Sequence, residues 1–574
     1  MSEELASGFS SPALERISRS PLTRRQMLRT MAATGFVTAG GAVLAACGGP
    51  ANGSSDITLV VSSGGYFSPL PSEVKKTDSA RARAQATVIQ DWLNKHPNVK
   101  LKTTSIKIDT AQALQTAILG HQAPAQYGLT TLGAMDVQHA AAGLGLAADV
   151  TDLYHKYNVD SLLADYAKPL WNSQYDFSGR YYGMPSEVIN AGFGVLLRRD
   201  ILTQHNLIEP DALNWTWEQY AQLAKQLKDI NNGKPASAGP PWLIGYFENS
   251  SLLDPYSNGL LGAVPAPGTG NTYHWKADVT NWSDNWKRGS QLYRSMTTDD
   301  KSLLISPSFN EFTLMQQFAA GQYALVPTIG LFAAFISGQS GSVAQKIKTG
   351  GTQAYDETVA YLPFPNGDNG AWNPLVEPQL GANAYYPKLS TDALDAAVNL
   401  YLYMYFQDGY VDTRYRTYLN ANHDVTSAYD YVAPSNRYQN NPKLPAGQGV
   451  IQVFGPRMVE TTMRIIGRSI RPNLGVYLPK AETKTGPTSD ALHDFQDKLG
   501  SGSADVDAAL KAFQDTYNQQ AAGLPSDLSP SEFRDGAQKW LKALDDYWRV
   551  HSPKFYQGDW NKYYHQLALP ALQG

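Results

Sequence analysis

One cysteine in 574 residues, Cys47, excludes any intramolecular disulfide and any cysteine-built metal cluster. A charge excess is missing too: 47 basic residues stand against 51 acidic ones, a net −4. Without a basic surplus the chain lacks the electrostatic footprint that a phosphate backbone requires, so no nucleic acid is expected as partner. Long apolar runs are absent as well. The uncharged stretch 30–46 is interrupted by Gly35, Gly40 and Gly41 and falls short of the ~20 residues that span a bilayer. The ten histidines are scattered, with no His-x-His or His-x-x-x-His pair to suggest a metal site. There is no Gly-x-Ser-x-Gly elbow, His-Glu-x-x-His pair, Walker loop or strand-linked Gly-x-Gly-x-x-Gly, and no cofactor is implied. What is present is 43% hydrophobic and 11% aromatic composition, which fits a globular body of two or more structural units and not a disordered chain.

The amino terminus reads as an address. Arg16, Arg19, Arg24, Arg25 and Arg29 precede the uncharged stretch, the order of an export signal. Thr23-Arg24-Arg25-Gln26-Met27-Leu28-Arg29 resembles a twin-arginine signal, and Leu44-Ala45-Ala46-Cys47 resembles a bacterial lipobox whose cysteine is acylated after cleavage. Residues 1–46 are therefore expected to be a signal peptide, and 47–55 a lipidated tether of small flexible residues. Their removal takes away five arginines and three glutamates and moves the net charge from −4 to −6.

Beyond the tether the chain alternates strand and helix. The β-branched run 57–61, the helically spaced Val88, Ile89, Trp92 and Leu93 stopped by His96-Pro97, and the alternating strand 99–103 give β-α-β. Further helices are expected after Asp109 up to Gly120, around 137–145, after Thr216, over 390–407, 505–520 and 530–550, and strands near 127–132, 323–326 and 358–362. Thr216-Trp217-Glu218-Gln219 and Ser529-Pro530-Ser531-Glu532 have the capping-box form. Such alternation predicts parallel sheets flanked by helices.

Several segments, in order, carry a family resemblance. They are Trp92-Leu93-Asn94-Lys95-His96-Pro97-Asn98-Val99, Tyr181-Tyr182-Gly183-Met184-Pro185, Trp215-Thr216-Trp217-Glu218-Gln219-Tyr220, Phe318-Ala319-Ala320-Gly321-Gln322-Tyr323-Ala324-Leu325, Tyr361-Leu362-Pro363-Phe364-Pro365, Ala433-Pro434-Ser435-Asn436-Arg437, Arg471-Pro472-Asn473 and 505–511. The series resembles family 1 extracytoplasmic solute-binding proteins of ABC importers, the sugar-binding class, over about residues 55–522. Ala123-Pro124-Ala125-Gln126 lacks the family's aspartate, Leu197-Arg198-Arg199-Asp200 stands in place of its Tyr-Asn-Lys-Asp, and the tail after Gly523 has no counterpart. The resemblance implies an α/β, periplasmic-binding-protein-like two-lobe fold of type II, each lobe a mainly parallel sheet flanked by helices. Lobe 1 is expected over 56–189 and 380–428, and lobe 2 over 190–379 and 429–522. Hinge crossings are expected near 188–191, 378–380 and 425–432. The tail 523–574, rich in Trp540, Trp548, Trp560 and tyrosines, is expected to pack across a lobe.

A sugar presents flat C–H faces and a rim of hydroxyls, so its site needs aromatic rings and planar hydrogen-bonding groups. Loops at the carboxyl ends of strands are where open α/β sheets bind ligands, which points to Tyr66 and Thr131, with Glu187 beside a crossing. The resemblance adds Trp242, Tyr246, Glu248, Asn249, Phe332 and Trp372. Trp372 ranks first, because a large aromatic in Gly370-Ala371-Trp372-Asn373-Pro374 has no periodic core face to join. The expected protein is a non-enzymatic monomer, anchored to the outer face of the bacterial membrane through Cys47. It captures a carbohydrate, with an oligosaccharide expected, and delivers it to permease subunits. Two alternatives stay open. A glycosidase needs only two carboxylates about 5 to 10 Å apart, and a peptide-binding importer component fits the length but not the ordered segments.

Overall fold

The computed structural model describes residues 56–573 apart from 64–66, 107–110, 129–145, 176–179, 191–192, 241–242, 244–262, 269–272, 280–282, 307, 330–332, 334–335, 373–378, 424–431, 438–440, 445–454, 469–471, 473–485 and 523–527. The expected signal peptide, tether and 137–145 helix lie outside the described residues. The described strands are β1 (Ile57–Ser62), β2 (Val99–Thr104), β3 (Gln126–Gly128), β4 (Met184–Asn190), β5 (Phe193–Arg198), β6 (Ser237–Gly239), β7 (Val264–Pro267), β8 (Tyr273–Lys276), β9 (Leu303–Ile305), β10 (Leu325–Ile329), β11 (Val359–Pro363) and β12 (Gln379–Tyr385).

Two sheet systems organise these strands. In the first, β1 and β2 pair in parallel, and β12 runs antiparallel between β3 and β4. The Val60 carbonyl accepts the Ala125 N–H at 2.7 Å and ties the two sets together. The second sheet has the order β9-β6-β10-β5-β11, in which β9, β6 and β10 are parallel and β5 runs against both its neighbours. The expected mainly parallel sheets therefore each contain one reversed strand, β12 in the first and β5 in the second. The reason is topological. Each reversed strand is the one entered from the other sheet, and a chain arriving at the edge where its new neighbours end has to run backwards along them.

Helix α1 (Ala80–Lys95) starts at Ser79, whose hydroxyl oxygen accepts the Ala82 N–H at 3.1 Å. It buries Val88, Ile89 and Trp92 against the first sheet system. The Trp92 indole N–H reaches Asn399 Oδ1 at 2.8 Å, and the ring stacks on His96 at 3.9 Å, where Pro97 ends the helix. Helix α2 (Trp217–Ile230) has the predicted capping box between Thr216 and Gln219. Helices α3 (Glu311–Ala320) and α4 (Ser342–Thr358) cover one face of the second sheet, and α2 covers the other. Alternation along β5 shows both faces: Leu196 joins the first core, Val195 and Leu197 the second. Helices α5 (Thr391–Phe406) and α6 (Asp408–Asn420) return to α1, where Arg416 pairs with Asp91 at 2.9 Å.

The return to the second sheet comes later than the expected residue 429. The Val432 carbonyl accepts the Ile189 N–H at 3.0 Å, Pro434 O accepts Ala164 N–H at 2.7 Å, and Asn441 Nδ2 donates to Val411 O at 3.1 Å. Residues 432–437 and 441–444 thus still belong with the first sheet system, and α7 (Pro456–Arg468) is the next described element to pack on β11. Then follow α8 (Val506–Ala522) and α9 (Pro530–His551). The tail packs as expected: Phe533, Trp540, Trp548, Phe555, Trp560 and Tyr563 are all buried in the second core, and the Tyr563 hydroxyl donates to Ala263 O at 2.7 Å.

Candidate functional site

Strand direction defines the site. β4 ends at Asn190 and β5 begins at Phe193, so the chain passes from one sheet to the other across residues 191–192. Asn190 lies opposite Gln379 and Ile189 opposite Leu380, while the Ile189 amide bonds to Val432. Two crossings thus run side by side, near the expected 188–191 and 378–380, with Val432 bonded beside them. At the same place Phe193 pairs with Ile329, the end of β10, and Gly194 with Pro363, the end of β11. β6 and β9 run parallel to β10 and end on the same edge. On the first sheet β3 points the same way as β4, because both oppose β12. The carboxyl edges of the two sheets therefore meet the crossings from opposite sides, the position that binds ligands in open α/β sheets.

Glycine permits close backbone approach at the start of β4, at Gly183, and at the crossing itself, at Gly194. A Cβ on Gly183 would stand 2.8 Å from the Asn383 carbonyl oxygen, and one on Gly194 would collide with the Leu362 carbonyl and the Tyr361 ring. Beneath the crossing lies a buried hydrogen-bonded chain. Asn383 Nδ2 donates to the Tyr401 hydroxyl at 2.5 Å, and that hydroxyl donates to Pro185 O at 2.7 Å.

Tyr66, Thr131, Trp242, Tyr246, Glu248, Asn249 and Phe332 lie outside the described residues, as does Cys47. Their anchoring strands are described: Thr131 follows β3, Trp242 to Asn249 follow β6, and Phe332 follows β10, three strands that end on these edges. Glu187, in β4, is half-buried and accepts the Ser186 hydroxyl at 3.1 Å. Burial, and secondarily the Glu187 charge, push the nearby Tyr405 hydroxyl well above the usual phenol range.

Trp372 departs from the expectation. It is only 8% exposed, its ring meets the edges of Trp548 at 5.0 Å and Tyr547 at 6.3 Å, and the Arg468 guanidinium covers it at 5.3 Å. The premise that no core face awaited it does not hold. Helix α9, more than 150 residues later, supplies that face.

The loop after β9 was missed, since β9 itself was not predicted. Asn310 caps α3, its Oδ1 accepting Thr313 N–H at 2.8 Å, and Phe309, Glu311 and Phe312 sit half-buried around that cap. Thr328 Oγ1, one residue before the end of β10, donates to the Glu311 carbonyl at 3.1 Å and fixes Glu311 at the crossing edge. Burial raises the Glu311 carboxyl above its ordinary range. The sequence signal was the Asn310-x-x-Thr313 cap pattern after a short apolar run.

The opposite end of the second sheet is built differently. Arg199 forms a two-pronged pair with Glu209 at 2.5 and 2.6 Å and donates to Val359 O at 2.8 Å and to Asp356 O. Two cavities of about 370 and 280 Å³ lie on that side, beside Asp356 and Arg457, and not at the crossings. No group of three or more His, Cys, Asp or Glu side chains suited to a metal occurs among the described residues.

No family model matches this chain, and no curated protein matches it. Among solved structures it is similar to the GacH receptor of Streptomyces glaucescens, described unliganded and with acarbose: 13% identity, 82% of this chain and 99% of that one, TM-score 0.47. It is similar to UgpB of Mycobacterium tuberculosis in complex with glycerophosphocholine: 15% identity, 82% of this chain and 100% of that one, TM-score 0.48. It is also similar to the galacto-N-biose-/lacto-N-biose I-binding protein of an ABC transporter from Bifidobacterium longum: 14% identity, 83% and 99% coverage, TM-score 0.47.

Proposed function

We propose that this chain is an extracytoplasmic substrate-binding protein that captures a carbohydrate between its two sheet-centred halves and hands it unchanged to an ABC-type permease. The observation that carries the reading is the junction itself: two adjacent segments, at 189–190 and 379–380, join two sheets whose carboxyl edges both face it, with Val432 bonded beside them. Such a junction lets the halves rotate about a few residues, and a ligand touching both edges shifts the population toward the closed form. Glu187 from the first sheet and Glu311 from the second would accept sugar hydroxyls, Phe309 and Phe312 would cover a ring face, and the loops with Tyr66, Thr131, Trp242, Tyr246, Glu248, Asn249 and Phe332 would complete the site.

Calorimetry with a panel of neutral oligosaccharides tests this. Saturable heat with at least one sugar is expected. Peptide binding without sugar binding would replace the reading with a peptide carrier, and steady product release from a glycoside would make the protein an enzyme. We further propose anchoring through an acylated Cys47. Cys47→Ser should move the protein from the membrane fraction to the soluble one on cell fractionation, and retention in the membrane would refute the anchor.

A further inference from the structure

The loop Asn366–Trp372 leaves the carboxyl end of β11 and heads for the second crossing, from which only residues 373–378 separate it. It folds on itself, Gly367 N–H donating to Ala371 O at 2.8 Å and Gly370 N–H to Gly367 O at 2.9 Å. The far C-terminus then grips it. Ser552 Oγ donates to Gly370 O at 2.7 Å, the Lys554 ammonium donates to Asp368 O, and Asn369 Nδ2 donates to Asp559 Oδ2 at 2.7 Å. The same Asp559 oxygen accepts Asn285 Nδ2 at 3.1 Å, which links the grip to the helix Ser283–Arg294. Trp372 adds its edge contact with Trp548.

Two features show that this contact is built. Asn285 and Asn369 are 5% and 9% exposed, so their amide N–H groups have little access to water and depend on a carboxylate acceptor. Gly370 adopts φ +88°, a left-handed backbone that favours glycine, and a Cβ there would crowd Ser552 Oγ at 3.2 Å.

We infer that residues 552–559 are a brace for the crossing, with Asp559 a positioning residue that holds the loop after β11 and, through it, the binding edge. The ligand half of this inference rests on the function proposed above; the mechanical half does not. A tethered loop spares the site the ordering of 366–372 on binding. Loosening the brace lowers the fraction of molecules whose edge is assembled, and apparent affinity falls in proportion to that fraction.

Asp559→Ala and the milder Ser552→Ala in the full chain test this, read by hydrogen exchange without ligand and by calorimetry with maltotriose, raffinose and cellotriose. Exchange should rise in 366–372 and spread to β12 at 379–385, and the Kd of any panel sugar that wild type binds should rise about tenfold for Asp559→Ala. Faster exchange confined to 366–372 and 552–573, with 379–385 unchanged, would overturn the brace, as would an unchanged Kd. Should wild type bind none of the sugars, the proposed function fails, while exchange at 379–385 still decides the mechanical claim.

Discussion

Trp372 and Glu311 show how differently two side chains behave at one sheet edge. The indole of Trp372 is enclosed by Trp548, Tyr547 and the Arg468 guanidinium. Trp372→Ala is therefore expected to destabilise the protein by about 3 to 5 kcal/mol, the usual cost of truncating a buried tryptophan, read as a lower denaturant midpoint. Unchanged stability would return Trp372 to the ligand. Glu311 carries the opposite expectation. Burial disfavours its charge and raises its pKa, so folding stability contributed by this group is full below the ordinary carboxylate pKa and is lost as pH rises through the folded value. Glu311→Gln should weaken sugar binding at pH 7 without lowering the unfolding midpoint, and wild type should gain on the variant as pH is lowered toward 4. A variant that binds sugar as wild type does removes Glu311 from the site.

Among the elements, those with strong local signals were legible. The capping boxes at Thr216 and Ser529 formed as the sequence indicated, because hydroxyl and carboxamide or carboxylate lie three residues apart and need nothing else. Ser529→Ala should cost about 1 kcal/mol, seen as a lower thermal midpoint, since Ser529 accepts the Glu532 N–H and its own N–H meets the Glu532 carboxylate at 2.9 Å. The short strands β6 and β9 were not legible. Three residues carry no periodicity, and their pairing, β6 with β10 and β9 with β6, is dictated by the sheet around them. Helix α7 was missed as well, although Met458, Ile465 and Ile466 are buried on one side of it.

In the whole molecule, the two reversed strands β5 and β12 mark where the chain changes sheet. If the junction is a hinge, saturating sugar should reduce the radius of gyration in small-angle scattering, and Gly194→Val, which collides with the Leu362 carbonyl, should abolish the change. A radius indifferent to bound sugar would argue against closure.

The sequence by itself determined the alternation of strand and helix and the capped helices, because each of these depends on residues close together along the chain. Only the tertiary structure decided that Trp372 is core, that Glu311 stands at the crossing edge, that Val432 and Pro434 stay with the first sheet, and that the tail grips the loop after β11. Those facts depend on partners between 17 and more than 250 residues away, such as Thr328 for Glu311 and Ala164 for Pro434. No local pattern encodes which distant face a side chain will meet.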